Sequence, residues 1–287
     1  MKESALVDVG WLFRHIDDEN LVILDASVPP VVPGFVSSNS ENNFTAIAGA
    51  RRFDYDQQVC KPNSTLPHMM PSAALFQEKV RALGINNEDT LVVYDDVGLY
   101  ASPRAWWMFR AMGHKEIAVL DGGLPQWILE GQGVLGEFYK STSGDFSASP
   151  NENLFCDFEF VLKGLVSPGC SVLDARSESR FKGLEPEPRP GVRSGHMPDA
   201  KNLPFPEVLD GRFLKPKTEL QKIFFEFTSD DQKKIITSCG SGVTACILTL
   251  AAEVAGFTDL SVYDGSWAEW GLPGKLPVVT TQKARPT

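Results

Sequence analysis

Residues 235–245 read Ile235-Ile236-Thr237-Ser238-Cys239-Gly240-Ser241-Gly242-Val243-Thr244-Ala245, and the chain continues as an apolar segment to Ala255. A short β-branched run, a turn carrying two glycines and a long apolar segment predict a strand, a tight loop and a helix N-terminus. Glycine lets the backbone adopt positive φ, so the loop can turn its N–H groups inward. The free N–H groups and the dipole at a helix start favour an anion. A cysteine held there gains stabilisation for its thiolate, which is the nucleophilic form. The commoner fate of a free cysteine is burial as a small apolar residue, but that role needs no Gly-x-Gly turn beside it. Cys246, Cys60, Cys156 and Cys170 lack such a setting and are read as structural.

The same pattern occurs earlier in the chain. Leu21–Ala26 (LVILDA) matches Ser171–Arg176 (SVLDAR), and Thr90–Asp96 (TLVVYDD) matches Lys233–Cys239 (KKIITSC). Val119–Gly123 (VLDGG) matches Val262–Ser266 (VYDGS), followed by Trp127 and Trp270. From Asp96 and Cys239 onward the two copies keep one offset, so the chain is a tandem duplication. At that offset the cysteine position of the first copy falls on Asp96, or on Asp95 if the alignment slips by one residue. Strands alternating with helices imply an α/β fold, each copy a mostly parallel sheet with helices on both faces. Gly, Ser and Pro accumulate around 133–153, which sets the expected division: a first domain over 1–140, a linker over 141–153 and a second domain over 154–287. Ligands of such sheets sit beyond the carboxyl ends of the strands, which is where Cys239 lies.

The chain has 287 residues, 43% of them hydrophobic and 22% charged. This is the composition of an ordinary globular protein rather than a disordered, collagen-like or disulfide-stapled one. No apolar run approaches the ~20 residues needed to span a bilayer, so no membrane association is expected. The formal charge of −10 disfavours non-specific nucleic-acid binding. Five cysteines without paired spacing offer neither a disulfide framework nor a metal site. The N-terminal stretch has no secretory apolar core and is too acidic for a transit peptide, so a cytoplasmic location is expected; the acidic surface fits a monomer, which is the expected state.

Several separated motifs carry a resemblance over nearly the whole chain: Asp174-Ala175-Arg176, Glu185-Pro186-Glu187-Pro188-Arg189, Gly195-His196-Met197-Pro198, Cys239–Ala245 and Asp264-Gly265-Ser266-Trp267. Together they resemble the two-domain rhodanese family, and most closely its 3-mercaptopyruvate-using branch. The resemblance implies two tandem rhodanese-like domains of which only the second is catalytic, an aspartate replacing the cysteine in the first. It implies a Cys239 persulfide that carries sulfur from a small-molecule donor to a thiol acceptor such as thioredoxin, or to cyanide. No metal or organic cofactor is implied. The loop Cys239-Gly240-Ser241-Gly242-Val243-Thr244 has no basic residue, whereas thiosulfate-using members typically carry some there.

The resemblance further assigns Arg180 and Arg189 to the donor's carboxylate and keto oxygen. A guanidinium suits that task because it binds carboxylates bidentately and keeps its charge. Gly240, Gly242, Val243 and Thr244 complete the binding loop. Ser241, His68 and Asp56 match a proton relay, with Asp54 the rival carboxylate. Arg176 and Arg193 are read as structural or rim residues, His196 and Asp174 as structural. Thiosulfate sulfurtransferase is the alternative within the family. A cysteine phosphatase is the alternative outside it, but it needs an arginine at the loop's far end, and the next basic residue here is Lys275.

Overall fold

The structure is a computed structural model that describes residues 4–39, 44–228 and 234–281. Lys233, which heads the matched segment of the second copy, and the extreme ends of the two assigned domains lie outside the described residues. The chain forms two compact units. The first contains Met1–Asn63, Met70–Glu152 and Leu209–Leu214; the second contains Ser64–Met69, Asn153–Val208 and Lys215–Thr287. Each half of the sequence thus lends a short segment to the other half's unit.

The division falls at the far end of the expected linker, because residues 141–152 group with the first unit. Their backbone is bonded to it: Gly144 N–H donates to Arg81 (2.8 Å), Phe146 N–H to Ile85 (3.1 Å) and Ser149 N–H to Met112 (2.8 Å). The Phe146 ring is buried beside Phe76 and Phe109. Gly144, one of the glycines behind the expected linker, allows close approach, since a Cβ there would collide with the Ile85 carbonyl.

Each unit is built on a five-stranded parallel sheet of one topology. In the first, the strand order is Leu6–Val7, Ile117–Leu120, Thr90–Tyr94, Leu21–Asp25, Arg51–Arg52. In the second it is Phe155–Cys156, Leu260–Tyr263, Lys234–Ser238, Cys170–Asp174, Lys201–Asn202. The central strands are buried almost throughout, as parallel strands covered on both faces must be. On one face of the first sheet, helices Val9–His15 and Gly123–Leu129 supply Leu12, Leu124 and Trp127 to a core with Ile23, Val92 and Ala118. In the second unit, helices Phe158–Leu165 and Ser266–Trp270 supply Val161, Trp267 and Trp270 to the matching core with Val172 and Ile236. The duplication extends to a helix cap. Asp8 accepts the Trp11 N–H and Asp157 the Phe160 N–H, satisfying a donor that the first turn leaves open.

Strand register decides which residue of the first unit stands where Cys239 stands. Asp25 is opposite Tyr94, and Asp174 is opposite Ser238. The next residues along are Asp95 and Cys239. The loop from Asp95 to the helix Ser102–Ala111 is one residue longer than the loop from Cys239 to the helix Ala245–Ala255. The constant downstream offset therefore misplaces the equivalence by one residue, and Asp95 is the counterpart rather than Asp96.

Asp121 follows the edge-adjacent strand of the first sheet and accepts the Leu214 N–H at 3.0 Å. Burial pushes its carboxyl up to about 6, against the opposing hydrogen bonds from Leu214 and Gly122. A raised native value means that this group's contribution to stability is complete below the unfolded value of about 4 and is lost as pH rises through about 6. Urea unfolding should show a decline of about 1–2 kcal/mol across that window in the parent, and Asp121→Asn should flatten it.

Candidate active site

The central strand Lys234–Ser238 delivers Cys239 to the carboxyl end of the second sheet, and the chain turns into the helix Ala245–Ala255. Gly242 sits at φ +80°, the left-handed region that favours glycine. That turn brings the Gly242 N–H onto the Cys239 Sγ at 3.1 Å. Cys239 is 1% exposed, while Gly240 and Ser241 at the loop's apex are half-buried. Val243 and Thr244 are buried at the helix entry. The loop is buttressed from beneath by Ser266, whose hydroxyl accepts the Cys239 N–H (3.2 Å) and donates to the Tyr263 carbonyl (2.8 Å). Trp267 and Ala268 donate their N–H groups to the carbonyls of Cys239 and Gly240, each at 2.9 Å. Ser266 holds φ +48°, an unusual conformation for a residue with a side chain, and such strain persists only where neighbours enforce it. Its motif was visible in the sequence, but nothing in spacing showed that it carries the cysteine loop.

The first unit has a corresponding loop, one residue longer, around a different side chain. The carboxylate of Asp95 accepts the N–H groups of Val97 and Gly98 on one oxygen. Its other oxygen accepts those of Tyr100, Ala101 and Ser102, and the Ser102 hydroxyl, at 2.7–2.9 Å. The turn is therefore a ring of convergent donors around an anion.

Beside the Cys239 loop runs a buried chain of charges. Arg176 forms a bidentate pair with Asp174 (Nη2 to Oδ2 2.6 Å, Nε to Oδ1 3.0 Å), donates to the Gly195 carbonyl at 2.9 Å and lies 4.1 Å over the Trp267 ring. Its Nη1 reaches Glu187 Oε1 at 2.8 Å, and Arg180 Nη2 reaches Glu187 Oε2 at 2.5 Å. Arg180 in turn rests against Gly240, where a Cβ would lie 3.2 Å from Nη2. Arg176, read from sequence as structural or rim, is the buried centre of this chain. Glu187 is its link, unassigned from sequence because a glutamate between two prolines gives no sign of which cations it faces.

Arg189 is exposed, with no side-chain partner among the described residues. Ser241 stands two residues from Cys239 at the loop's apex. His68 is half-buried at φ +58° and belongs to the second unit through the lent segment Ser64–Met69. Asp56 belongs to the first unit, where it accepts from the Gln57 side chain at 2.7 Å. Asp54 accepts the N–H groups of Asp56 and Gln57, a turn-closing role. His196 stacks on Phe181 at 3.9 Å with Nδ1 bonded to the Phe181 carbonyl, and Arg193 spends its guanidinium on the carbonyls of Trp270, Gly271 and Leu276. Burial pushes the Cys156 thiol up to about 12 and raises those of Cys60 and Cys170. Such thiols are poor nucleophiles at neutral pH. Cys246 donates its thiol proton to the Gly242 carbonyl.

Comparisons with known proteins agree with this geometry. A family model described as a rhodanese-like domain matches residues 8–130 and again 159–272. The chain is 40% identical to the 3-mercaptopyruvate sulfurtransferase of Rattus norvegicus over 288 residues, covering 97% of this chain and 95% of that one. It is 39% identical to the thiosulfate sulfurtransferase of the same organism over 277 residues, covering 93% and 91%. A crystal structure of a 3-mercaptopyruvate sulfotransferase from Escherichia coli superposes with a TM-score of 0.79 at 34% identity, over 93% of this chain and all of that one. Two family matches on two sheets of one topology leave a single reading: the chain belongs to the rhodanese-like family and is a sulfurtransferase built from two such domains.

Proposed function

We propose that the second unit moves sulfur from 3-mercaptopyruvate to a thiophilic acceptor through a persulfide on Cys239. The observation that carries this reading is the Asp95 loop. A carboxylate oxygen lies one bond beyond Cγ, just as the outer sulfur of a persulfide lies one bond beyond Sγ. In the first unit the far oxygen takes N–H groups from the last loop residues and the helix start. Counted back from the helix, the corresponding donors in the second unit belong to Val243, Thr244 and Ala245. In this reading they hold the outer sulfur, and the Gly242 N–H, which meets Sγ, supports it. A preorganised ring of donors stabilises such an anion as an oxyanion hole stabilises oxygen.

In the forward step the Cys239 thiolate attacks the donor's sulfur and forms the S–S bond. The C–S bond breaks, its electron pair stays on carbon as the enolate of pyruvate, and the donor's thiol proton is transferred to that carbon. Ser241, at the half-buried apex of the loop, is the proposed hydroxyl for that transfer, with His68 and Asp56 its partners in the relay. Arg180 and Arg189 hold the carboxylate and keto oxygen. A thiol, a thioredoxin-like dithiol or cyanide then removes the outer sulfur and restores Cys239. The first unit binds no donor in this reading, because Asp95 already occupies its loop. The thiosulfate alternative rests on the 39% identity to a thiosulfate sulfurtransferase; the uncharged loop at Cys239 favours mercaptopyruvate.

Cys239→Ser should abolish sulfur transfer while leaving the unfolding transition nearly unchanged. Intact-mass measurement after incubation with 3-mercaptopyruvate should show the gain of one sulfur atom in the parent, reversed by cyanide and absent in the variant; retained turnover in Cys239→Ser overturns the reading. Initial rates of thiocyanate formation should favour 3-mercaptopyruvate over thiosulfate under matched conditions. Arg180→Ala and Arg189→Ala should each raise the mercaptopyruvate KM by about 10-fold or more with a smaller change in kcat.

A further inference from the structure

The chain Asp174–Arg176–Glu187–Arg180 alternates in sign and ends against the catalytic loop at Gly240. Glu187, whose side chain is 4% exposed, gives one oxygen to each arginine. Arg176 cannot follow it outward, being held by Asp174, the Gly195 carbonyl and the Trp267 ring. Glu187 is therefore fixed from behind, and Arg180 is the group whose position it dictates. Arg180 spends Nη2 and, at 3.4 Å, Nε on Glu187, and among the described residues its Nη1 has no hydrogen-bond partner.

We propose that Glu187 is a positioning and selectivity residue: it fixes Arg180 against Gly240 and offsets its charge, so that the site favours a singly charged donor over a doubly charged one. This rests on the reading above, in which Arg180 meets the donor's carboxylate. The four groups sum to zero charge. Arg180 thus offers hydrogen-bond geometry with little surplus field. A monocarboxylate needs little more, whereas a dianion such as thiosulfate loses hydration that a compensated guanidinium does not replace. Without the Glu187 charge, the same guanidinium carries an uncompensated unit of positive charge and is free to move.

Glu187→Gln keeps an acceptor but removes the charge. Its ratio of kcat/KM for thiosulfate over 3-mercaptopyruvate should rise about tenfold, with the mercaptopyruvate KM raised and kcat within about twofold of the parent. Glu187→Asp restores the charge and should return the donor ratio to within about threefold of the parent. A ratio in Glu187→Gln within about twofold of the parent overturns the proposal, as does an equal loss for both donors through kcat, which a merely structural role produces. A parent enzyme that turns over neither donor overturns the donor reading itself, a result distinct from a parent and variant that discriminate equally. A measurement on the unaltered protein covers the case of a variant that fails to fold. At constant ionic strength, pyruvate should protect Cys239 from alkylation at lower concentration than sulfate; equal or better protection by sulfate overturns the proposal.

Discussion

A turn that points several backbone N–H groups at one spot must supply something negative there. Each such donor loses water on burial, and an unmatched one costs about 1–3 kcal/mol. Both units of this protein carry a glycine-containing turn after the central strand of the sheet, and each meets its inward N–H groups differently. The first closes it with its own carboxylate: Asp95 takes the N–H groups of Val97, Gly98, Tyr100, Ala101 and Ser102. The second places a sulfur at the base, with the Gly242 N–H directed onto it. The first is a satisfied structural element; the second, in the function proposed above, takes up a further anionic atom.

The rest of the second unit serves to keep that turn in place. The strand behind it is paired on both sides, by Cys170–Asp174 and by Leu260–Tyr263. The helix Ser266–Trp270 donates N–H groups into the carbonyls of Cys239 and Gly240, and Ser266 bridges Cys239 to Tyr263. The Trp267 that anchors this helix is packed under the guanidinium of Arg176. The core of the sheet, the loop that bears Cys239 and the charge chain that ends at Arg180 therefore share residues. A buried ion chain of this kind contributes little net stability compared with apolar packing. It is better understood as fixing a guanidinium in one orientation than as holding the fold together.

Much of this was legible before any coordinates. Cys239 stood out because a cysteine beside Gly240 and Gly242, between a β-branched run and an apolar helix, has few structural reasons to be there. The duplication was legible because two sheets of one topology need the same apolar runs in the same order. What the alignment misjudged was the cysteine's counterpart, because the extra residue of the first unit lies inside the loop itself and leaves the flanking periodicities intact. Residues 141–152 were misjudged for a related reason. Gly and Ser signal either a free segment or one pressed against its neighbours, and only the Gly144 approach to Ile85 distinguishes them.

The sequence by itself determined the fold class, the repeat, the placing of Cys239 in a glycine turn after a central strand and the residue types available to hold an anion. These follow from local periodicity and turn chemistry, which act over a few residues. The tertiary structure alone decided that Asp95 fills the first loop, that Ser266 carries the second, and that Glu187 joins Arg176 to Arg180. Asp174, Arg176, Arg180 and Glu187 are close in sequence, yet their order as a chain of charges depends on which side chains a packed interior turns toward one another. Hydrogen-bond direction and burial are set by that packing, and no spacing rule along the chain encodes them.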